Sequence, residues 1–475
     1  MANDPVPELL ARAVEALERE FGGLEAFEPE TGGGTEALAQ VLEETARRLG
    51  DNYPYFHPLY AGQMLKPPHP VARAAYALAM KLNPNNHALD GGRASSAMEV
   101  EAVKEIAGMF GWTEFLGHLT SSGTMANLEA LWIAGRIGEE LGTEGLGTKG
   151  RRRIVGSAQA HYTHQRISAV LKLEYAPVAA DSAGQMDLEA LEIELRKGDV
   201  GTVVATLGTT AMGAVDPLEE ILALAARYGC RVHVDAAYGG YFGLIAEELG
   251  EPARRAFAAL GRADSIVIDP HKHGLQPYGC GCVLFRDPAL GRFYKHDSPY
   301  TYFTSKELHL GEISLECSRA GAAAVALWAT QRLLPLVKGG GFARGLAKGR
   351  RAALELDRRL RGDERFVTLR EFPPGSQNRD PGRPPELDIE VWAVRAATAR
   401  EASQRAQAVF DACARRGLHL ALIQLPGSWF GNAGHRQADG MWTCLRSVLM
   451  KPEHEAWMGR IWERLSAACD EVAGK

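Results

Sequence analysis

The sequence predicts an α/β fold built on a largely parallel sheet, followed by a smaller α+β unit. Three observations carry that expectation. Between about residues 97 and 290 short apolar runs alternate with longer amphipathic stretches; few polar residues interrupt those runs; and past a proline-rich break strands and helices alternate again. Near-continuous apolar strands belong to a sheet covered on both faces, and the intervening helices are what joins parallel neighbours. In such a sheet ligands gather at the carboxyl ends of the strands.

The first 95 residues read as an N-terminal helical segment, beginning with a mixed acidic and apolar helix from Glu8 to Phe21. Tyr53-Pro-Tyr-Phe-His-Pro58 and Pro67-Pro68-His-Pro70 interrupt it, since proline removes a backbone donor and clashes with the preceding turn. Strands are expected at 115–120, 153–157, 202–207, 231–235, 265–268 and 281–285, and helices at 125–141, 187–197 and 218–228. One long helical stretch is expected from Arg319 to about Arg361. The run Pro373 to Pro385 reads as an exposed loop. Strands at 387–394, 418–423 and 442–449 then alternate with helices at 397–416 and 453–472. The chain is thus expected to divide into residues 1–95, a large α/β domain at 96–340 and a small α+β domain at 341–475.

Composition narrows the function classes. The ordinary globular mixture, 46% hydrophobic and 24% charged, excludes global disorder. With 53 basic and 59 acidic side chains the formal charge is −6, which argues against a general polyanion binder. The dense basic run Lys149-Gly-Arg-Arg-Arg153 reads as a solvated turn. No apolar run approaches the roughly 20 residues of a membrane span, and the opening residues lack the features of a secretory signal. Seven scattered cysteines, with only Cys280 and Cys282 close together, suit reduced thiols in a cytoplasmic protein.

The most informative segment is Ser265-Ile-Val-Ile-Asp-Pro-His-Lys-His-Gly274, a short strand ended by proline with Lys272 in the loop beyond. An ammonium group at the end of a buried strand is costly to desolvate, and the amine so exposed is what chemistry with an aldehyde requires. A surface lysine fits that segment equally well. Arg231-Val-His-Val-Asp-Ala-Ala-Tyr-Gly-Gly240 delivers Asp235 to the end of another strand, with small Ala236 and Ala237 leaving room for a flat ligand. A protonated pyridine ring would pair with such a carboxylate; a helix cap would also explain it. In Leu119-Thr-Ser-Ser-Gly-Thr-Met-Ala-Asn127 a hydroxyl-rich turn opens a helix, where backbone amides with Ser122 and Thr124 suit a phosphate. His161 follows a strand and could lie against an aromatic ligand. Thr206-Leu-Gly-Thr-Thr210 ends another, and Arg319 could bind a carboxylate or pair with a core acid. Together these contacts would hold pyridoxal phosphate by its phosphate, ring face, ring nitrogen and aldehyde.

On these motifs the chain resembles the group II pyridoxal-phosphate-dependent amino-acid decarboxylases, from about His57-Pro-Leu-Tyr-Ala-Gly62 to Leu445-Arg-Ser-Val-Leu449, most densely between Thr120 and Arg319. The resemblance implies a fold-type-I transferase-like α/β architecture with a mostly parallel seven-stranded sheet. It implies a homodimer with active sites at the subunit interface and a carboxy-lyase that turns an L-amino acid into its amine. It implies that Lys272 carries the cofactor as an aldimine beside His271. Asp235 would meet the pyridine nitrogen, and His161 and Ala237 would flank the ring. Ser122, Gly123 and Thr124 would hold the phosphate, with Thr210 near the ring substituents.

Phe56 and His57 are expected at the substrate entrance, Tyr300 or Tyr302 as a loop proton donor, and Arg319 or Arg395 as a substrate carboxylate anchor. His273 departs from the tryptophan or methionine that relatives often carry after the lysine. Two rival readings stand beside this one: a carbon–carbon lyase resembling sphingosine-phosphate lyase, and a metal-dependent hydrolase using His271, His273 and His233.

Overall fold

A computed structural model describes residues 4–25, 27, 32–88, 90–143, 152–295, 313–369, 384–430 and 440–474. Four helices come first: α1 (Val6–Glu20), α2 (Thr35–Leu49), α3 (Pro70–Met80) and α4 (Arg93–Met109). Pro70 opens α3 at the one helical position where a missing N–H costs nothing, and the His69 ring accepts from Val71 N at 3.2 Å. The main sheet and its connecting helices then follow in order: β1 (Leu116–Thr120), α5 (Gly123–Thr143), β2 (Arg153–Ser157), α6 (Thr163–Val170), β3 (Tyr175–Val178), α7 (Leu188–Leu195), β4 (Val200–Thr206), α8 (Leu218–Tyr228), β5 (Arg231–Asp235), α9 (Glu251–Ala258), β6 (Ser265–Ile268) and β7 (Gly281–Phe285).

These strands make a seven-stranded sheet ordered β1-β7-β6-β5-β4-β2-β3, parallel except for β7. Alternate residues leave a strand on opposite faces. On β6, Val267 packs with Ala126, Ala130 and Ile133 of α5, whereas Ile266 and Ile268 join the core of Ile221 and Ala225 from α8. Both faces are therefore covered, and the apolar strands read from the sequence are central ones. The sequence did not suggest β3. It is an edge strand whose first three residues, Tyr175 to Pro177, keep some exposure while Val178 is buried, and proline is tolerated at such an edge. Helix α8 ends at Gly229, whose φ of 68° is the left-handed conformation that glycine adopts without a Cβ penalty.

The expected single helix across 319–361 is two helices, α10 (Gly321–Leu333) and α11 (Gly341–Arg361). Pro335 supplies no donor, and the glycines at 339–341 favour coil, Gly339 at φ 69°. After α11 come β8 (Phe366–Thr368), β9 (Ile389–Val394), α12 (Ala399–Arg415), β10 (Ala421–Pro426), β11 (Met441–Val448) and α13 (His454–Ala473). Their four strands form an antiparallel sheet ordered β10-β11-β9-β8. Trp392 and Leu445 pack with Leu356 of α11, Val409 of α12 and Ile461 of α13, while Val391 and Val448 face the main core.

Two further expectations change in detail. Arg153 is not in a solvated turn: it starts β2, buried, and pairs with Glu194 at 2.7 Å and Asp199 at 2.9 Å. Most of the loop expected at 373–385 lies outside the described residues. Among the described residues no helix is long and apolar enough to cross a membrane.

Candidate active site

The carboxyl ends of β1, β2, β4, β5 and β6 open on one edge of the main sheet, where a cavity of about 190 Å³ is lined by Ser122, Gly123, Thr124, His161, Thr210, Asp235, Ala237, His271 and Lys272. All nine residues expected around the cofactor thus share one cavity. Its volume is below the roughly 300–1,000 Å³ of drug-sized sites and suits a single substituted ring.

Each wall has a local cause. The turn between β1 and α5 is fixed by Ser122: its carbonyl accepts from Thr120 Oγ1 at 2.9 Å and its Oγ accepts from Met125 N at 3.3 Å. The first amides of α5 are thereby aimed into the cavity, an anion-binding arrangement. Gly123 is needed there, because a Cβ would stand 2.4 Å from Asp269 Oδ2. The loops after β4 and β5 touch at Gly239, where a Cβ would lie 2.2 Å from Leu207 O. After β6 the chain folds back tightly: Lys272 N donates to Asp269 O at 2.9 Å, and His271 Nδ1 meets Cys280 O at 2.7 Å. Lys272 Nζ is then 3.2 Å from Asp269 Oδ2, with 22% of its side chain exposed.

Asp235 is 4% exposed at the end of β5. One oxygen accepts from Ala237 N at 3.1 Å; the other lies 2.8 Å from His164 Nε2 and 3.4 Å from Asn127 Nδ2. Burial pushes this carboxyl up, but the His164 hydrogen bond and charge, with Lys272, outweigh burial and hold its pKa below the ordinary value. Asp235 is therefore ionised. His161 moves the other way: burial lowers its pKa, Asp235 opposes, and Lys272 and His164 add to the lowering. His161 is a neutral ring at pH 7.

Several residues of the site were not singled out in the sequence. His164 starts one turn along the chain from His161 and is wholly buried against Asp235. Asn127 bridges Asp235 to His233, whose Nε2 is 2.8 Å from Asn127 Oδ1 and whose Nδ1 is 2.9 Å from Ser265 Oγ. Asp269 lies inside the lysine motif, its Oδ2 3.2 Å from Lys272 Nζ. Tyr238 lines the cavity and donates to Asp388 Oδ1 at 2.5 Å. Arg446 on β11, inside the quoted motif Leu445 to Leu449, is 3% exposed and donates to Thr210 O at 2.7 Å and Gln63 Oε1 at 3.1 Å.

Other expected residues lie elsewhere. Arg319 takes the second of its two readings: its guanidinium is committed to Glu99 at 2.6 Å and to Leu119 O at 2.8 Å, inside the core. Arg395 donates to Glu364 O and Phe366 O beside a different surface groove. His57 packs on Trp457, ring centroids 4.9 Å apart, and Phe56 is half exposed at another cavity. Tyr300 and Tyr302 lie outside the described residues. The metal reading finds no support: His233, His271 and His273 each have separate neighbours, and the described residues hold no group of three or more His, Cys, Asp or Glu that could bind a metal.

The sequence model of the pyridoxal-dependent decarboxylase conserved domain matches residues 36–373. An L-tyrosine decarboxylase of Enterococcus faecium is 28% identical, the match covering 63% of this chain and 64% of that one. An L-2,4-diaminobutyrate decarboxylase of Rhizobium meliloti is 34% identical over 55% of this chain and 52% of its own length. The chain therefore spans somewhat less than two thirds of the first of these relatives and about half of the second. Among solved structures, Oryza sativa TDC with PLP and tryptamine superposes with a TM-score of 0.77 at 19% identity, covering 99% of both chains. Mouse CSAD gives 0.74 at 22% identity, over 96% of this chain and 92% of that one. At these identities the structural likeness establishes the fold.

Proposed function

Since the chain belongs to the pyridoxal-dependent decarboxylase family, whose cofactor is pyridoxal phosphate, we propose that it removes carbon dioxide from an L-amino acid and releases the amine. The observation that carries this reading is an ionised buried Asp235 and an accessible Lys272 in one small cavity with a helix start. That donor set fits the cofactor at three polar points and its ring faces. Lys272 Nζ would take the aldehyde; Asp235 would keep a proton on the ring nitrogen; His161 and Ala237 would flank the ring; Ser122, Gly123 and Thr124 would receive the phosphate. When bound, pyridoxal phosphate supplies an electron-poor ring that accepts the electron pair left as the bond from Cα to the carboxylate breaks.

The chain's own residues do the rest. Asp269, whose Oδ1 is buried with no hydrogen-bond partner among the described residues, holds Lys272 Nζ toward the cavity. Arg446, a buried guanidinium bonded to Thr210 O, Ala211 O, Gly62 O and Gln63 Oε1, holds the wall at Thr210 in place. We assign the proton delivered to Cα to Tyr300 or Tyr302, or to Lys272 Nζ. The active unit in this reading is a homodimer. Helices α1 and α2 bury none of their residues within one chain, and α2 exposes Leu38, Val41, Leu42 and Leu49, a face that a second copy would cover. Seven unbridged cysteines suit the reducing cytoplasm.

The test is a panel of the common amino acids with 2,4-diaminobutyrate and cysteine sulfinate, scored for carbon dioxide and amine. Stoichiometric release of both from one of them is expected. Aldehyde or keto-acid without carbon dioxide would replace the proposal with another pyridoxal-phosphate reaction. A purified chain with no visible cofactor band sensitive to borohydride would defeat the covalent role of Lys272.

A further inference from the structure

A second, larger cavity of about 550 Å³ lies behind the loop that carries Lys272. Its walls are the segment 66–70, His273 and Leu275, the start of α11, and residues 450–453 after β11. Lys272 lines the first cavity and its neighbour His273 the second, so the two share this loop as a wall.

The charge of this second cavity is one-sided. Lys66, Arg344, Lys348 and Lys451 line it, against the single acid Glu453. Lys451 is 3% exposed, and its Nζ donates only to carbonyls among the described residues, Tyr60 O at 2.7 Å and Leu65 O at 3.5 Å. Lys66 Nζ reaches Met450 O at 3.4 Å. Carbonyl oxygens satisfy donors but do not neutralise a buried charge. Burial consequently pushes Lys66 down to about 8, with Asp388 and Glu453 opposing, and Lys451 down to about 7, where the neighbouring Lys66 adds to the lowering.

Two further observations mark the same wall. His273 is 1% exposed and its Nδ1 has no hydrogen-bond partner among the described residues, while Nε2 stands 3.3 Å from Asp388 Oδ2. Leu275, the next lining residue, sits at φ 66°, a left-handed conformation that costs a branched side chain energy and tends to mark functional walls. His69 N donates to Leu275 O at 2.9 Å and holds it there. The rest of the surface is apolar, chiefly Leu334, Phe342 and Met450.

We propose that this second cavity binds a small organic anion, its phosphate or carboxylate group among Lys66, Lys348 and Lys451 and its apolar body on Leu334, Phe342 and Met450. An anion supplies the counter-charge that the chain leaves out, and a partly desolvated setting strengthens the attraction. The inference does not rest on decarboxylation, because it is read as binding.

The experiment is calorimetric titration of the cofactor-loaded chain, so that the first cavity is already filled, with phenyl phosphate, benzoate, inorganic phosphate and benzyl alcohol. Phenyl phosphate or benzoate is expected to bind one per chain with submillimolar affinity, the tighter of the two identifying the head group. Benzyl alcohol and inorganic phosphate should bind at least about tenfold more weakly, a difference of ~1.4 kcal/mol. Lys66→Met and Lys451→Met should each weaken the organic anion by at least about tenfold. The exposed charge reversal Lys348→Glu, which leaves the core intact, should do so as well. No saturable heat from either organic anion, equal binding of benzyl alcohol, or unchanged affinity in Lys348→Glu would overturn the proposal. A chain that takes up no cofactor would defeat the proposed function, yet could still be titrated here, with the affinity lost in Lys348→Glu separating the second cavity from the empty first.

Discussion

On one side of the 269–275 loop a buried carboxylate, Asp235, has a histidine 2.8 Å away; on the other, the part-buried Lys66 and buried Lys451 hydrogen-bond to carbonyl oxygens, with the Tyr60 ring 5.1 Å from Lys451 Nζ and no carboxylate in direct contact. The desolvation penalty is similar in kind at both places and the outcome is opposite. At Asp235 the partner overcomes burial and the charge is kept. At Lys66 and Lys451 burial wins, and the protons are held weakly. A charge kept by internal partners is preorganised for a reaction, because nothing has to be rearranged when the ligand arrives. Charges whose nearest partners are carbonyls and a ring, not carboxylates, favour a ligand that brings the opposite sign.

The first cavity breaks most completely at its lysine. In Lys272→Ala no amine remains to hold the aldehyde, and turnover should fall by at least about 10³-fold, as expected for losing a covalent catalytic group. Single-turnover assays on the reconstituted variant measure it; activity within tenfold of wild type would remove Lys272 from the mechanism. Asp235→Asn is the next step down. It keeps the shape and loses the charge, so the ring nitrogen is no longer held protonated. Each unit of lost pKa matching is worth ~1.4 kcal/mol, about tenfold in rate if fully expressed, and a fall of ~10²-fold in kcat at saturating cofactor is expected. An unchanged kcat would show that Asp235 only anchors the ring.

How much of this was readable in advance depended on how local the signal was. Strands β5 and β6 are legible because each is a short, mostly apolar run with polar residues at or just past its end, which point to Asp235 at the end of β5 and Lys272 in the loop after β6. Strand β3 was hidden by Pro177 and its partly exposed edge position, and the break between α10 and α11 by a helical pattern that continues on both sides of Pro335. His164 could not be paired from sequence, since its partner lies 71 residues away and only the folded sheet with α6 against it brings them together. Arg446 and the Lys66–Lys451 wall depend on the small sheet closing over the N-terminal segment. Conversely, Arg319 looked like an anchor because a lone arginine at a helix start carries no mark of Glu99, its distant partner.

The contrast between the cavities sharpens at His164. Replacing it with leucine leaves Asp235 buried with Asn127 and Ala237 N as its nearest hydrogen-bond donors, and burial then raises its pKa. Folded Asp235 is depressed, so the stability it contributes is present above the ordinary carboxylate range and is lost as pH falls through the depressed value. In His164→Leu that stabilising contribution should shrink, and once burial lifts the folded pKa above the ordinary value its sign reverses, so the variant loses least on acidification. The acid limb of the kcat profile should move up with that pKa, with turnover at neutral pH down by about tenfold. His164→Gln, which keeps a donor, should recover part of both. A pH profile unmoved in the leucine variant would reduce His164 to packing.

The smallest expected effect tests the other side of the loop by stability alone. Lys451→Met keeps the apolar stem and removes the uncompensated charge, so the unliganded variant should be more stable than wild type by about 1–4 kcal/mol in urea unfolding near pH 6, the scale found when buried ions are replaced by apolar groups. The sign follows from linkage. A lysine whose folded pKa is depressed gives up relative stability as pH falls from the ordinary lysine range through about 7, because the unfolded chain holds the proton and the folded one does not. Wild type should therefore gain on the variant as pH rises from 6 toward 9, and the gap should narrow. Saturating organic anion should narrow it too, by restoring the missing counter-charge in wild type alone. A Lys451→Met variant less stable than wild type at every pH would mean that the carbonyl contacts from Tyr60 and Leu65 outweigh the buried charge.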